Sequence, residues 1–207
     1  MFITFEGPEG AGKSTTLAAL ADRLQKMDIG VLTTREPGAG SFGKKIRELL
    51  LHGEDLDPKA ELLLFLADRS NHVSSIIRPA LEAGRVVLCD RYADSTQVYQ
   101  AHARGLNEEF VCAGNQFATG GLVPDLTLLF DLEAEQGLAR IQSKDRLDAQ
   151  PVEFHRRVRQ GFLQLAAREP RRWRVIDASR PPAEVLENCW EIMEPLVQTW
   201  QQGISGV

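Results

Sequence analysis

Cysteines are scarce in this chain, and long apolar runs are missing. Its three cysteines, Cys89, Cys112 and Cys189, stand far apart and form no C-x-x-C pair. This spacing gives no indication of a zinc ribbon or a redox motif, and so few cysteines are typical of a reducing compartment. One of the longest apolar runs, Leu62–Ala67, falls far short of the roughly 18 residues that a membrane-spanning helix needs. No basic segment precedes the first apolar stretch, so we expect a cytoplasmic protein without a signal peptide or a membrane partner.

An excess of positive charge is also missing. The 207 residues include 24 Lys and Arg against 29 Asp and Glu, which gives a net charge of −5. We therefore expect no nucleic-acid partner, although a local basic pocket for phosphate is compatible with this balance. Two basic clusters, His155–Arg159 and Arg171–Arg174, are interpreted as solvated faces for the same reason. The four histidines show no metal-ligand spacing.

The remaining composition and the order of the apolar segments indicate a single α/β domain over residues 1–207. Short apolar segments that favour strands alternate with segments of helical periodicity. We expect strands at Phe2–Glu6, Ile29–Thr34, Arg85–Cys89, Leu126–Asp131 and Arg174–Asp177. We expect helices from Ser14, over about Phe42–Leu51, and over Leu56–Pro79, Ser95–Arg104, Asn107–Thr119, Glu133–Gln142, Val152–Arg168 and Ala183–Gln201. This alternation predicts a doubly wound parallel sheet of five strands with helices on both faces.

A glycine-rich loop follows the first strand. It reads Gly7-Pro8-Glu9-Gly10-Ala11-Gly12-Lys13-Ser14 and matches the pattern G-x-x-x-x-G-K-[ST]. Glycines allow backbone N–H groups to converge on phosphate oxygens, and the following helix N-terminus adds its dipole. In this pattern the lysine reaches the outer phosphates and the hydroxyl reaches Mg²⁺. The alternative is a glycine-rich turn with an accidental lysine, but the loop stands between a strand and a helix, as an ATP-binding loop requires. The expected doubly wound sheet is therefore of the P-loop NTPase type.

Asp90 and Arg91 follow the third strand. An acid at such a strand end holds the metal together with Ser14, so we expect Mg²⁺ as the cofactor; the alternative is a capping or turn aspartate. Arg91 supplies a cation beside it, and its planar fork suits a second, acceptor phosphate. The alternative is a structural arginine paired with an acid such as Glu36. The chain has no N-K-x-D motif, which disfavours a GTPase.

At this point the chain resembles the thymidylate kinase family along nearly its whole length. The segments that carry the resemblance are FITFEGPEGAGKST at the N-terminus, TREPGAG (Thr34–Gly40), LLFLADRSNHV (Leu63–Val73), DRYADSTQVYQ (Asp90–Gln100), PDLTLLFDLEAEQGLAR (Pro124–Arg140), DRLD and VIDAS. The resemblance implies a homodimeric kinase that transfers the γ-phosphoryl group of ATP to dTMP, giving dTDP and ADP for dTTP synthesis. Two alternatives stay open: a deoxynucleoside kinase, and a nucleotide-switched regulatory ATPase.

The resemblance also implies a dTMP site. Phe65 is implied to stack on thymine and Arg69 to donate to its O4, and their spacing of four places both on one side of a helix. Tyr99 is implied to crowd the sugar 2′ position, Glu9 to accept from the 3′-hydroxyl, and Arg91 to bind the dTMP phosphate. Weaker candidates are Thr96, Gln100 and Arg35.

Each of these residues has an ordinary structural alternative. Phe65 could belong to the core, Tyr99 could be a half-buried helix aromatic, and Arg69 and Glu9 could be solvated charges. Arg35 could simply pair with Glu36 or with Asp90.

The phosphate loop carries no arginine, whereas some members of the family have a catalytic one there and others have it in a lid. We therefore expect a short lid at about residues 140–152 to supply the cation that neutralises the transferring group. Arg146 is the first choice and Arg140 the second, with Lys144 as a third candidate.

Overall fold

The computed structural model describes residues 1–143 and 145–205. Five strands form one parallel sheet in the order β2-β3-β1-β4-β5. Their bounds are β1 Phe2–Glu6, β2 Val31–Arg35, β3 Val86–Asp90, β4 Leu126–Asp131 and β5 Trp173–Asp177. The predicted doubly wound α/β fold is confirmed.

Helices connect the strands and cover both faces of the sheet. They are α1 Lys13–Lys26, α2 Gly40–His52, α3 Pro58–His72, α4 Arg78–Glu82, α5 Ala93–Thr96, α6 Glu108–Thr119, α7 Ala134–Arg140, α8 Val152–Arg168 and α9 Pro182–Ser205. Two π-helical segments, Val73–Ile77 and Gln97–Ala103, continue α3 into α4 and extend α5. The predicted long helix at Leu56–Pro79 is therefore a composite. It begins as expected, with Asp57 accepting a hydrogen bond from Lys59 N and Pro58 at the first helical position.

Consecutive strand residues pack into different cores because side chains alternate across a strand. Ile3 and Leu128 belong to the cluster under α1 and α9, together with residues such as Trp190. Phe2 packs on the opposite face with the α3–α4 segment, and Leu129 packs there with α8. Burial on both faces explains why the strands read as continuous apolar runs rather than as alternating patterns.

Some boundaries differ from the prediction. Helix α7 ends at Arg140 instead of Gln142, because Ile141 takes an extended conformation. The proposed lid therefore begins directly at the end of α7. Lys144 lies outside the described residues. Across the part of the chain that the structure describes, no helix is both long and apolar enough to cross a membrane.

The parallel arrangement brings the carboxyl ends of the strands to one edge of the sheet. Glu6 ends β1, Arg35 ends β2 and Asp90 ends β3, and the register pairs Asp90 with both Phe5 and Arg35. Open α/β sheets bind their ligands at this edge. The phosphate loop and the Asp90-Arg91 turn consequently lie side by side.

Candidate active site

The phosphate loop packs directly against the backbone of α7. Gly10 has a φ of +69°, and a Cβ built there would lie 2.1 Å from the carbonyl oxygen of Gly137. A Cβ on Gly137 would in turn lie 2.2 Å from the carbonyl oxygen of Glu9. Neither position has room for a side chain, so these two glycines permit the helix and the loop to touch.

Lys13 is buried at the start of α1, with its ammonium turned back into the loop. Its Nζ donates to the carbonyl oxygens of Gly7 (3.0 Å) and Pro8 (2.7 Å). Burial, assisted by the positive charge of Arg91, lowers the pKa of Lys13 to about 8. The side chain thus remains a cation at neutral pH, held beside the backbone that would cradle phosphate.

Ser14 and Asp90 face each other across the loop. The Ser14 hydroxyl donates to Asp90 Oδ2. Both offer hard oxygen ligands of the kind Mg²⁺ prefers, and Mg²⁺ usually takes only one or two protein ligands together with substrate phosphates. Among the described residues there is no cluster of three or more acidic, histidine or cysteine side chains that could hold a metal. The pair therefore fits a magnesium ion that depends on its nucleotide for further ligands.

A cavity of about 260 Å³ opens beside this pair. Every residue that the resemblance assigned to dTMP lines it, as do the phosphate-loop lysine and the metal candidates. These are Glu9, Lys13, Ser14, Arg35, Phe65, Arg69, Asp90, Arg91, Thr96, Tyr99 and Gln100. The structure thus brings together residues from the phosphate loop, β2, α3 and the segment after β3.

Arg91 lines the cavity and has a left-handed backbone conformation, with φ at 68°. Its Nη2 donates to Glu9 Oε1 at 3.1 Å and its Nη1 to Ser95 Oγ at 3.2 Å. The partner of Arg91 is therefore Glu9, not Glu36. Such a conformation is uncommon for a residue other than glycine and persists only where the surroundings impose it.

Buried Glu6 helps to impose that conformation. It accepts hydrogen bonds from Tyr92 N at 2.8 Å and from Ser95 Oγ at 2.5 Å, both in the segment directly after Arg91. Burial and the nearby charge of Asp94 raise the pKa of Glu6 to about 8. Sequence reasoning did not identify Glu6, because nothing in the sequence distinguishes it from an ordinary last residue of an apolar strand.

Glu9 is an ionised acceptor inside the cavity rather than a solvated loop acid. Its side chain is only 12% exposed. Burial by itself would raise the pKa of Glu9, but Arg91, His155, Lys13 and Tyr99 together lower it to about 2. The Tyr99 hydroxyl donates to Glu9 Oε1, and the Arg91 guanidinium lies 5.2 Å from the Tyr99 ring. Glu9 is therefore fixed as a carboxylate by its neighbours.

Arg69 is a buried structural and cavity-lining cation, not a solvated one. Its guanidinium donates to Glu36 Oε2 (2.8 Å), Asn115 Oδ1 (2.8 Å) and Tyr92 O (3.1 Å). Because a guanidinium has five N–H donors, these contacts do not exhaust it.

Phe65, one turn earlier on α3, lies between the cavity and the core. It lines the cavity, and it also packs in a small apolar cluster with Ile46, Leu50, Leu51 and Leu147.

The two lid arginines occupy different surroundings. Arg140 is exposed, and its Nη1 lies 3.4 Å from Gly10 O and 3.3 Å from Ala178 O. Arg146 instead donates to Leu50 O at 2.9 Å and to Glu61 Oε2 at 2.5 Å. In this conformation Arg140 is beside the phosphate loop, whereas Arg146 is bound to α2 and α3.

The interpretation of the basic clusters as solvated faces is wrong for three of their members. His155 is 1% exposed and contacts Glu9. Arg159 pairs with Asp131 and Glu133, and Arg172 pairs with Asp94. A signal was present for His155, since it lies three residues before Val158 on the apolar face of α8. The cavity also contains Arg47, Asp145 and Asp148, which sequence reasoning did not identify.

Comparisons with known proteins agree with this geometry. The family model described as thymidylate kinase matches residues 5–189. The thymidylate kinase of a Synechococcus strain is 54% identical over 195 residues, which cover 94% of this chain and 95% of that protein. The thymidylate kinase of Desulfovibrio desulfuricans is 47% identical over 217 residues, covering 99% of this chain and 100% of that protein.

A solved structure is similar as well. The crystal structure of thymidylate kinase from Ehrlichia chaffeensis superposes with a TM-score of 0.78 at 33% identity, covering 93% of this chain and 98% of that one. With the family model matching most of its length and the relatives so similar, the chain belongs to the thymidylate kinase family.

Proposed function

We propose that this site transfers the γ-phosphoryl group of ATP to the phosphate of dTMP, giving ADP and dTDP. The observation that carries the proposal is a single cavity shared by the phosphate loop and by the cluster of Arg91, Tyr99 and Glu9. One part suits a polyphosphate donor, and the other suits a phosphate acceptor that bears a sugar. The enzyme class is that of a nucleotide-biosynthetic transferase.

On the donor side, the loop Gly7, Pro8, Glu9, Gly10, Ala11, Gly12, Lys13 and Ser14 binds the ATP phosphates through its backbone N–H groups, which every residue except Pro8 carries. Lys13 exchanges its loop carbonyl contacts for phosphate oxygens. Ser14 and Asp90 hold the magnesium ion that accompanies ATP. A magnesium ion so placed supplies charge neutralisation at the phosphate oxygens.

On the acceptor side, Arg91 binds the dTMP phosphate through its planar fork, assisted by Arg35. The attacking oxygen of dTMP is already ionised, so no general base is required. Catalysis rests on alignment of the two phosphates and on the surrounding positive charge.

Four residues recognise the base and two recognise the sugar. Phe65 stacks on thymine and Arg69 donates to it, with Thr96 and Gln100 at the base edge. Glu9 accepts from the 3′-hydroxyl, since its depressed pKa keeps it a carboxylate, and Tyr99 occupies the space that a 2′-hydroxyl would need.

The segment 140–152 acts as the lid. Its residues Ile141, Asp145, Leu147 and Asp148 already line the cavity, so closure requires only a local movement. Closure excludes water, which would otherwise hydrolyse ATP, and delivers the lid cation. Arg140 begins beside the loop, whereas Arg146 must leave Glu61 to reach the phosphates.

Association and location are also part of the proposal. Leu63 on α3 and Phe110 and Phe117 on α6 are 56%, 58% and 88% exposed. Helices α3 and α6 pack together, so these side chains offer an apolar surface for a homodimer. Three free cysteines favour the cytoplasm.

The decisive experiment is a panel of acceptors with ATP and Mg²⁺, including thymidine, dTMP, dUMP and the ribonucleotide TMP. We expect turnover with dTMP and very little with thymidine. Turnover with thymidine itself would identify a deoxynucleoside kinase, and the absence of any acceptor-dependent turnover would point to a regulatory ATPase. Lys13→Ala should remove most of the dTMP-dependent turnover from a folded protein.

A further inference from the structure

His155 lies on α8, outside every motif of the proposed mechanism. It is in the first turn of that helix and is 1% exposed. Its Nδ1 is 3.2 Å from Glu9 Oε2. The chain thus connects α8 to the phosphate loop through two side chains that are 146 positions apart.

The two oxygens of Glu9 have different partners. Oε1 accepts from both Arg91 and Tyr99, whereas Oε2 accepts from His155. Removing His155 would leave the carboxylate held through one oxygen only, and free to turn about that point. His155 therefore determines the orientation of the carboxylate, not merely its position.

The direction of this hydrogen bond is fixed by charge. Glu9 is ionised and has no proton to donate, so Nδ1 of His155 must carry the hydrogen. The doubly protonated, charged form of His155 is disfavoured by burial and by its location near a helix N-terminus. Burial lowers the pKa of His155, but the Glu9 carboxylate and Asp148 of the lid segment outweigh this effect. The pKa of His155 is therefore raised above its ordinary value.

We propose that His155 is a positioning residue for dTMP, because its Nδ1–H orients the Glu9 carboxylate that receives the sugar 3′-hydroxyl. The proposal rests on the proposed function of Glu9. Since α8 begins at Val152, where the lid segment ends, the same contact connects the end of the lid to the sugar site. The residue does not touch the reacting phosphates, so its effect falls on the acceptor's sugar.

The test compares His155→Leu, His155→Asn and His155→Gln with the parent enzyme. Asparagine carries an N–H close to the position of Nδ1, whereas glutamine carries it close to Nε2. His52→Asn, at the exposed end of α2, is the matched control. Each protein is assayed for KM and kcat with dTMP, with 3′-deoxythymidine monophosphate and with ATP, and its thermal midpoint is recorded.

We expect His155→Leu to raise KM for dTMP about 10-fold or more, the usual effect of losing a hydrogen bond to a charged group. KM for ATP should change less than about twofold, because the contact between His155 and Glu9 affects only the acceptor. For the 3′-deoxy substrate, KM of His155→Leu should equal that of the parent enzyme, because this substrate lacks the hydroxyl that Glu9 receives. Asparagine should restore dTMP binding better than glutamine, and His52→Asn should match the parent.

Three outcomes would overturn the inference. One is an unchanged KM for dTMP in folded His155→Leu. The second is an equal loss with dTMP and its 3′-deoxy analogue, which would indicate a purely structural role. The third is better rescue by glutamine than by asparagine, a comparison that holds even if the leucine variant does not fold. Failure of the proposed function is distinct, because the parent enzyme itself would then show no dTMP-dependent turnover.

Discussion

The close contact between α7 and the phosphate loop allows us to predict the effect of replacing Gly137 by alanine. This glycine lies inside a helix, where alanine ordinarily stabilises by about 0.5–1 kcal/mol. Here the new Cβ would stand 2.2 Å from the carbonyl oxygen of Glu9, and real Cβ atoms essentially never come nearer than 3.0 Å. Gly137→Ala must therefore separate helix and loop by roughly 0.8 Å at least.

The cost follows from that displacement. Overpacking costs about 1–3 kcal/mol, so after the helical gain we expect a net loss of up to about 2.5 kcal/mol of unfolding free energy. The effect on catalysis should be larger, because a shift of about 1 Å in a positioned group can cost about 100-fold in rate. We expect kcat/KM for ATP to fall by about 10- to 100-fold.

The assay is steady-state turnover of dTMP at varied ATP, with thermal denaturation in parallel. Gly203→Ala in α9 is the matched control, since a Cβ there meets nothing within 4 Å. It should be neutral or slightly stabilising, and fully active. If Gly137→Ala proved as stable and as active as the parent, the close packing of α7 on the loop would not be a requirement of the site.

Four further changes test other parts of the site. Phe65→Ala should raise KM for dTMP by the equivalent of about 1–3 kcal/mol, with ATP affinity nearly unchanged; normal dTMP affinity in a folded but destabilised variant would make Phe65 a core residue only. Tyr99→Phe should keep the preference for deoxyribose because exclusion is steric, while the alanine variant should accept the ribonucleotide, and an unchanged deoxy-to-ribo ratio in that variant would remove the residue from the sugar site. Arg146→Ala should lower kcat far more than it raises either KM, with lysine a poor replacement. If the same pair of changes at Arg140 is the damaging one, the lid cation is Arg140. If neither arginine matters, the phosphate loop neutralises the transferring group without a lid cation. Lys13→Met should be inactive yet more stable at pH 7. Since the folded-state pKa of Lys13 is about 8 and the ordinary value is 10.5, the parent's stability relative to that variant should rise by up to about 3 kcal/mol between pH 8 and 10.5, and a flat difference would show that the ammonium is not destabilised by burial.

The fold was predictable because its signals are local. Each strand is a short apolar run bounded by turn residues, and β1, β4 and α8 lie where the sequence places them. Asp57 and Pro58 predict the start of α3 from helix-capping preferences alone. The π-helical segments were not predictable, since they have the same apolar periodicity as the helices they continue.

The cavity was predictable only in part, and the reason lies in which interactions are local. The phosphate loop is contiguous, so its composition reveals its chemistry. Glu9, by contrast, depends on Arg91, Tyr99 and His155, which are 82, 90 and 146 positions away. A histidine on the apolar face of a helix signals burial, but its partner is set by how α8 packs against the loop. The attachment of Arg146 to Glu61 is set by tertiary packing in the same way.

The charge of the cavity also shows why net charge says little about a site. Lys13, Arg35, Arg47 and Arg91 line one cavity in a chain whose net charge is −5. Burial and mutual repulsion lower the pKa of Lys13, through Arg91, and of Arg47, through Arg35. The lining also includes Arg69 and five acids, which balance the formal charge of the cavity: Glu9, Glu36, Asp90, Asp145 and Asp148. Phosphate groups that enter the cavity would compete with these acids for its cations, and the transferring group, as the most charged species, would gain most from them. Lys13, whose charge is disfavoured in the free cavity by burial and by Arg91, is thus one of the cations that the proposed transfer requires.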